Sequence, residues 1–484
     1  MQQNLARVAY ALLTLFGVQV LGLTYWQIAR SNELWSSPGN RRPALFENRV
    51  ARGGLYDRNG EPIARSKVIG SKQKRETHDP LANAHVVGYL SAKYGRAGLE
   101  GKYDAELSGL RRAWTWQDMQ DWLVGEPRRG NDVFLTLDRR LQVAAFKALG
   151  KRRGAVVAVA PATGEVLALV SAPSYDPDRL DADWKRLNAD ANKPLVARAT
   201  QGLYPPGSAF KAVTYAVNAE RGAVPLGTTY ECNGTLQLDK YVVHESEGHA
   251  HGRVDLPRAL AKSCNLAFAQ IAMSLGATEF ERSAHHFGLG ERIAFDLPLT
   301  TSFLRQERNV MTRNQLAQSG FGQGQVTVTP MQMALAIGTI ANGGVLMEPQ
   351  LVREVRTYEG KALRRFPPRA VRQVIKPEAA QSTLDAMALT TTVGTAAGMF
   401  DRLPFTVGGK TGTAQNPHGR PHAWFVCVAP ANAPKIAVAV LIENAGYGAR
   451  AAAPVARRML EEWSVGGAGT RHVQQIRRTF SVAE

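Results

Sequence analysis

The first pattern along the chain is an unbroken apolar run. Residues 8–28, VAYALLTLFGVQVLGLTYWQI, contain no charged side chain. A helix rising 1.5 Å per residue over that length spans the roughly 30 Å hydrocarbon core of a bilayer. Tyr25 and Trp26 stand at its end, where an interfacial aromatic belt belongs. A cleaved leader would have a shorter apolar region followed by a small-residue cleavage site, and YWQIARSNE supplies none. The pattern predicts one uncleaved anchor over residues 1–31. Arg7 precedes the span while Arg30, Arg41 and Arg42 follow it, so the positive-inside count does not decide the orientation, because long domains translocate largely regardless of charge.

After the anchor the pattern shortens. ARGGLYDRNGEPIARS has an Asn-Gly pair between apolar positions and predicts a β-hairpin. AHVVGYL from Ala84 predicts a further strand, giving a small strand-rich module over residues 32–130. From Arg128 the chain reads as a short strand, a capping Asp138 and an amphipathic helix, RRLQVAAFKAL. GAVVAVAPATGEVLALVSAP then predicts two buried strands about the turn PATGE. Helical spacing fills much of residues 208–342, and strand patterns return in HAWFVCVAP and KIAVAVLIENA. Strands at both ends with helices between them predict one α+β domain over residues 131–464, its mainly antiparallel sheet closed by the C-terminal strands and flanked by helices. Residues 465–484 predict a flexible basic tail.

Composition adds limits. A chain of 484 residues exceeds one ordinary core and predicts two folded units, and 44% apolar residues with eight tryptophans exclude a disordered protein. The net charge of +18 is scattered and matches no nucleic-acid module; it suits an anionic membrane or wall polymer. Cys232, Cys264 and Cys427 match neither a disulfide scaffold nor a zinc-finger spacing, and a Cys232–Cys264 bridge stays open. HESEGHAHG gathers His244, Glu245, His249 and His251, but no metal-ligand spacing, so it predicts a polar loop near a cleft, with no metal. Glu100 and Glu245 read as structural or surface carboxylates, Cys264 as a small apolar packing group, and Trp424 as core. GFGQGQV is not a dinucleotide loop, since no strand precedes it, and no cofactor is expected.

The candidate chemistry starts at LYPPGSAFKAV. The Pro-Pro-Gly turn starts a helix with Ser208 at its N-terminus and Lys211 one turn on, along the same face. A serine hydroxyl becomes nucleophilic when a neighbour takes its proton, and a lysine with a lowered pKa does this. Alone, S-x-x-K also describes an N-cap serine beside a solvated lysine. KSCNLAF adds Ser263 and Asn265, and GGKTGTAQ adds Lys410, Thr411, Gly412 and Thr413 on a predicted edge strand whose glycines let a substrate backbone approach.

This ordered set is the signature of penicillin-binding proteins and class A β-lactamases. With RGGLYDRNGEPIA, GRAGLEGKYDAELSG, GNDVFLTLD and GQGQVTVTPMQMA, the chain resembles a class B penicillin-binding protein of short-pedestal type over nearly its whole length. The resemblance implies a membrane-anchored peptidoglycan D,D-transpeptidase with its catalytic domain outside the bacterial cytoplasmic membrane. Ser208 would attack the penultimate D-Ala carbonyl of a donor stem peptide, Lys211 would accept its proton, and Ser263 would relay a proton to the leaving amine. Asn265 would hold the substrate amide, Lys410, Thr411 and Thr413 the terminal carboxylate, and the backbone N–H groups of Ser208 and Thr413 the oxyanion. β-Lactams would acylate Ser208, and a SEDS-family glycosyltransferase would be the membrane partner. A serine β-lactamase and a non-catalytic penicillin-binding sensor or scaffold share the motifs and remain as alternatives.

Overall fold

The computed structural model describes residues 2–30, 50–69, 72–109, 128–239, 241–246, 249–305 and 311–465. The predicted tail and much of the segment after the anchor lie outside them. The apolar run forms the α-helix Gln2–Thr24, continued by a π-helical turn, Tyr25–Ala29. Within it Ala6–Gln27 is long and apolar enough to cross a membrane, and none of its side chains packs inside the protein.

The larger body is built on a five-stranded antiparallel sheet in the order Val166–Ala172, Gly154–Val159, Ile436–Ile442, His422–Ala429, Gly408–Ala414. The first two strands lie some 270 residues from their C-terminal partners, so the predicted closure by C-terminal strands is how this sheet is completed. Every residue of Gly154–Val159 and Ile436–Ile442 is buried, which explains why they read as apolar runs without alternation. Arg139–Leu149 and Ala453–Val465 cover one face, and Pro330–Ala341 packs on the other. The Asp138 carboxylate caps Arg139–Leu149 by accepting from the Arg140 and Leu141 N–H groups, as the sequence predicts.

A six-stranded sheet forms the pedestal, in the order Ala362–Arg365, Val352–Arg356, Asp132–Leu135, Leu55–Tyr56, Pro62–Ile69, Lys72–Thr77. Leu55–Tyr56 and Pro62–Ile69 are the predicted hairpin about Asn59-Gly60. Two of its strands arrive from far downstream, so this sheet draws chain from both sides of Gly130. Beside it Glu100 is buried between Arg52 and Arg75, at 2.7 Å from each Nε. Burial alone would raise its pKa, but the two guanidiniums outweigh that and hold it below the usual carboxylate range.

AHVVGYL is not the predicted strand. Residues Pro80–Val87 form a helix and only Tyr89–Ser91 is a strand. Proline is pre-organised for the first helical turn, and Ala82, Asn83, Ala84, Val86 and Val87 are buried around most of the helix, Val86 and Val87 in the main core and Ala84 against Tyr175. A short apolar run does not distinguish helix from strand by period. Residues 208–342 are not helical throughout, since Thr229–Cys232, Thr235–Leu238, Tyr241–His244 and Gly252–Asp255 form two antiparallel ribbons there.

Candidate active site

Tyr204 is pinned by a backbone bridge to Val328, and Pro205, Pro206 and Gly207 then turn the chain. Gly207 has φ +53°, and a Cβ there would meet the Thr413 carbonyl oxygen at 2.7 Å, so only glycine fits. The residues that follow are not α-helical at first. Gly207–Phe210 is a 3₁₀ turn that runs into the α-helix Lys211–Arg221. Side chains three apart eclipse in 3₁₀ geometry, which places Ser208 and Lys211 on one face.

Ser208 is half-buried in the wall of a cleft of about 760 Å³, shared with Asn265, Gln323 and Thr413. Lys211, one turn on, is fully buried. Its Nζ donates to Asn265 Oδ1 at 2.7 Å, to the Ser263 carbonyl at 2.5 Å and to Ser263 Oγ at 3.3 Å. Burial disfavours the ammonium and lowers its pKa to about 8, against opposing pulls from Glu245, Cys264 and Cys232.

Ser263 ends the helix Leu256–Lys262 in the left-handed region, φ 66°, and Asn265–Leu275 starts two residues later. This break is what lets Ser263 and Asn265 both reach Lys211 from neighbouring helix ends. Asn265 is held from its other side, its Nδ2 donating to the His244 carbonyl at 2.9 Å.

The third motif lies on Gly408–Ala414, the edge strand of the central sheet. Lys410 is fully buried and donates to the Thr411 carbonyl at 3.0 Å. Burial, and then the neighbouring charge of Lys211, push its pKa well below the ordinary lysine value. The Thr411 hydroxyl shares a hydrogen bond with that of Thr395 at 2.7 Å, and the Thr413 carbonyl accepts from Gln323 Nε2 at 3.4 Å. Gly412 faces the serine turn rather than the substrate side. A Cβ there would lie 2.8 Å from Trp424 Cβ and 3.0 Å from the Pro206 oxygen. We expect Gly412→Ala to lift the serine turn off the edge strand, lowering stability by about 1–3 kcal/mol and slowing acylation. Thermal unfolding and labelling by fluorescent penicillin check this together, and a variant with wild-type behaviour in both would overturn the packing role.

The sequence gives no sign of several neighbours that hold this geometry. Trp424, in the core as expected, also donates through Nε1 to the Pro205 carbonyl at 2.9 Å. The Tyr204 hydroxyl donates to Glu443 at 2.8 Å, and Glu443 also receives Arg153 at 2.6 Å and Arg198 at 2.7 Å. Only the fold brings these distant positions together.

HESEGHAHG is likewise more than a polar loop. Glu245 is buried, and its Oε1 accepts from the Leu266 N–H at 2.9 Å. The same oxygen lies 3.3 Å from Cys232 Sγ and 3.1 Å from Cys264 Sγ. Cys264 therefore does turn away from the cleft, but into polar company rather than apolar packing. The two sulfurs are 3.3 Å apart in free cysteines, and His251 Nδ1 lies 3.2 Å from Cys232 Sγ. All four donor atoms fall within 4.8 Å of one another, and Glu245 Oε2 is buried without a hydrogen-bond partner. Two thiols, one imidazole and one carboxylate suit a four-coordinate, thiophilic divalent ion. The sequence predicts no metal here, because the donors at 232, 245, 251 and 264 form no recognised spacing. An ion held there would brace Cys264, between Ser263 and Asn265, and tie it to Glu245 in the cleft wall.

A penicillin binding protein transpeptidase domain model matches residues 154–461, which is well over half of the chain and contains all three motifs. The chain belongs to the penicillin-binding protein transpeptidase family. A penicillin binding protein A dimerisation domain model matches residues 52–133 of this penicillin-binding protein. It is 34% identical to the peptidoglycan D,D-transpeptidase PbpA of Mycolicibacterium smegmatis, over 94% of this chain and 98% of that one. It is 32% identical to the peptidoglycan D,D-transpeptidase MrdA of Acinetobacter baumannii, over 92% of this chain and 70% of that one. Among solved structures, penicillin-binding protein A from M. tuberculosis as a ceftriaxone acyl-enzyme complex superposes with a TM-score of 0.81. That match has 31% identity and covers 86% of this chain and 99% of the other. The class B resemblance read from the motif boxes agrees with these relatives.

Proposed function

We propose that this penicillin-binding protein is a peptidoglycan D,D-transpeptidase that cross-links stem peptides through an ester on Ser208 and is acylated there by β-lactams. The observation that supports this reading is a fully buried Lys211 amine, one turn on from Ser208, hydrogen-bonded to Ser263 and to Asn265, which shares one cleft with Ser208. Lys211 takes the Ser208 proton as Oγ attacks the penultimate D-Ala carbonyl. The carbonyl oxygen collects negative charge against the backbone N–H groups of Ser208 and Thr413. Ser263 passes a proton to the nitrogen of the leaving D-Ala. An amine of a second stem peptide then attacks the ester, losing its proton through the same relay, and Ser208 regains its hydrogen. Lys410, Thr411 and Thr413 favour the terminal carboxylate, with Asn265 on the peptide amide.

The apolar N-terminal helix serves as the anchor of a catalytic body outside the cytoplasmic membrane, where its substrate is. Glycan polymerisation then falls to a separate enzyme, and a SEDS-family glycosyltransferase contacting the anchor and pedestal fills that role.

A β-lactamase would need a base that activates water. Among the described residues lining the cleft, Glu245 is the one carboxylate, and its Oε1 is taken by Leu266 and the two thiols. The test uses the full chain in detergent with a D-Ala-D-Ala-terminated donor and an amine acceptor. One D-Ala is released per new amide bond, and penicillin leaves a lasting acyl-enzyme. Rapid penicillin turnover without cross-linking would overturn the assignment in favour of the lactamase.

The proposed base sets a pH dependence. Only the neutral amine accepts a proton, so with a Lys211 pKa of about 8 the second-order acylation rate rises with pH below that value and levels above it. The expected gain is about tenfold per pH unit on the rising limb. Stopped-flow acylation by penicillin checks it, and a flat profile from pH 6 to 9 would count against Lys211.

A further inference from the structure

The cleft is not electrically neutral along its length. Beyond Ser208 its wall includes Arg420, on the turn after the edge strand, and Arg450, in the short helix Gly448–Ala451. Both guanidiniums are exposed. Among the described residues neither has a carboxylate within ion-pair distance. Arg450 instead lies over the Tyr447 ring, 5.8 Å from its centroid, and Tyr447 lines the same wall. Nearby arginines behave otherwise, since Arg153 and Arg198 are both satisfied by Glu443. The one carboxylate of the lining, Glu245, is turned toward the thiols. Two cations without counter-ions thus face one substrate channel.

Their place along the channel identifies what they meet. Gly408–Ala414 is an edge strand, hydrogen-bonded on one side to His422–Ala429, so its other side can take an extended peptide as an added strand. With the peptide's terminal carboxylate toward Lys410 and Thr411, its upstream residues run past Thr413 toward Gln415 and the turn that carries Arg420. Each extended residue advances about 3.3 Å, so the wall of Arg420, Tyr447 and Arg450 falls against residues a few places before the scissile bond.

We infer that Arg420 and Arg450 form a carboxylate subsite, which makes this transpeptidase selective for donor stems that keep a free acid upstream of D-Ala-D-Ala. The inference rests on the proposed direction of the donor along the edge strand. A γ-linked acidic residue and a diamino-acid third residue both present such a carboxylate, and the guanidiniums recognise the chemistry common to them.

The test measures acylation of the full chain by D-Ala-D-Ala-terminated donor peptides with both upstream acids free, with either one amidated, or with both amidated. The fully acidic donor is expected to react about five- to tenfold faster than the doubly amidated one, the range for two partly exposed charge pairs. The singly amidated donors show which acid is read, and 0.5 M salt narrows the preference. In Arg420→Gln and Arg450→Gln the ratio falls toward one, and in Arg450→Glu it inverts. Because each ratio is taken within one protein, a general loss of stability does not mimic it. Equal wild-type rates with acidic and amidated donors, or a preference that survives all three substitutions, would overturn the subsite. Benzylpenicillin, whose acyl side chain is uncharged, provides the separate check on wild type. If it fails to acylate Ser208, the transpeptidase reading itself falls, whereas acylation without acid selectivity removes only the subsite.

Discussion

Ser208→Ala abolishes covalent labelling by fluorescent penicillin, with a loss of at least about 10⁴-fold in acylation rate, because the attacking oxygen is lost and Ser263, the other hydroxyl beside Lys211, is not among the residues that line the cleft. The fold should hardly notice. Ser208 is half-buried, and among the described residues its hydroxyl makes no side-chain hydrogen bond that the alanine would break. A change in stability within about 0.5 kcal/mol is expected, as for a substitution that leaves neither a cavity nor an orphaned partner. Gel fluorescence and intact mass measure the adduct, and thermal unfolding measures the fold. Equal labelling of variant and wild type would move the nucleophile elsewhere and dismantle the assignment of the whole cleft.

Lys211→Met has the second largest expected effect. Methionine roughly matches the volume of a side chain that is fully buried here, and it removes the cost of keeping an amine out of water. Against this, Asn265 Oδ1 and the Ser263 carbonyl lose the donor at 2.7 and 2.5 Å, which costs about 1–3 kcal/mol for buried acceptors left unpaired. A modestly lowered melting temperature is the expected balance. Acylation, by contrast, falls by about 10²–10⁴-fold, the range for losing a positioned general base. Lys211→Arg separates charge from proton transfer, since a guanidinium keeps its proton at any ordinary pH and should be as inactive as methionine. Retention of acylation by either variant within about threefold would show that another group takes the Ser208 proton.

What the sequence reveals and hides follows from how far apart the interacting residues lie. Ser208 and Lys211 are legible because one helical turn joins them, and Asn59-Gly60 is legible because a tight turn dictates its own residues. The three motifs are short and ordered, so they can be read without knowing how the chain folds between them. The meeting of Lys211 with Asn265 depends on Ser263 adopting φ 66°, a conformation that no local pattern announces. Glu443 reaches Tyr204 only because the central sheet and the serine turn pack together. The four donors around Cys232 come from two ribbons and a helix start, so their spacing carries no signal. AHVVGYL misleads for the opposite reason. Its apolar run satisfies both periods, and the proline before it decides in favour of helix.

The long return of the pedestal strands has a consequence for how the protein is made. Asp132–Leu135 waits for Val352–Arg356 as its neighbour, and Gly154–Val159 waits for Ile436–Ile442. At ordinary translation speeds of 5–20 residues per second, the first of these intervals lasts roughly 10 to 40 s. During it the emerging N-terminal half offers bare strand edges to whatever else is near. A newly made chain should therefore depend on escort by holding chaperones until its last third arrives, and premature termination anywhere before residue 352 should yield sticky fragments rather than a free-standing pedestal.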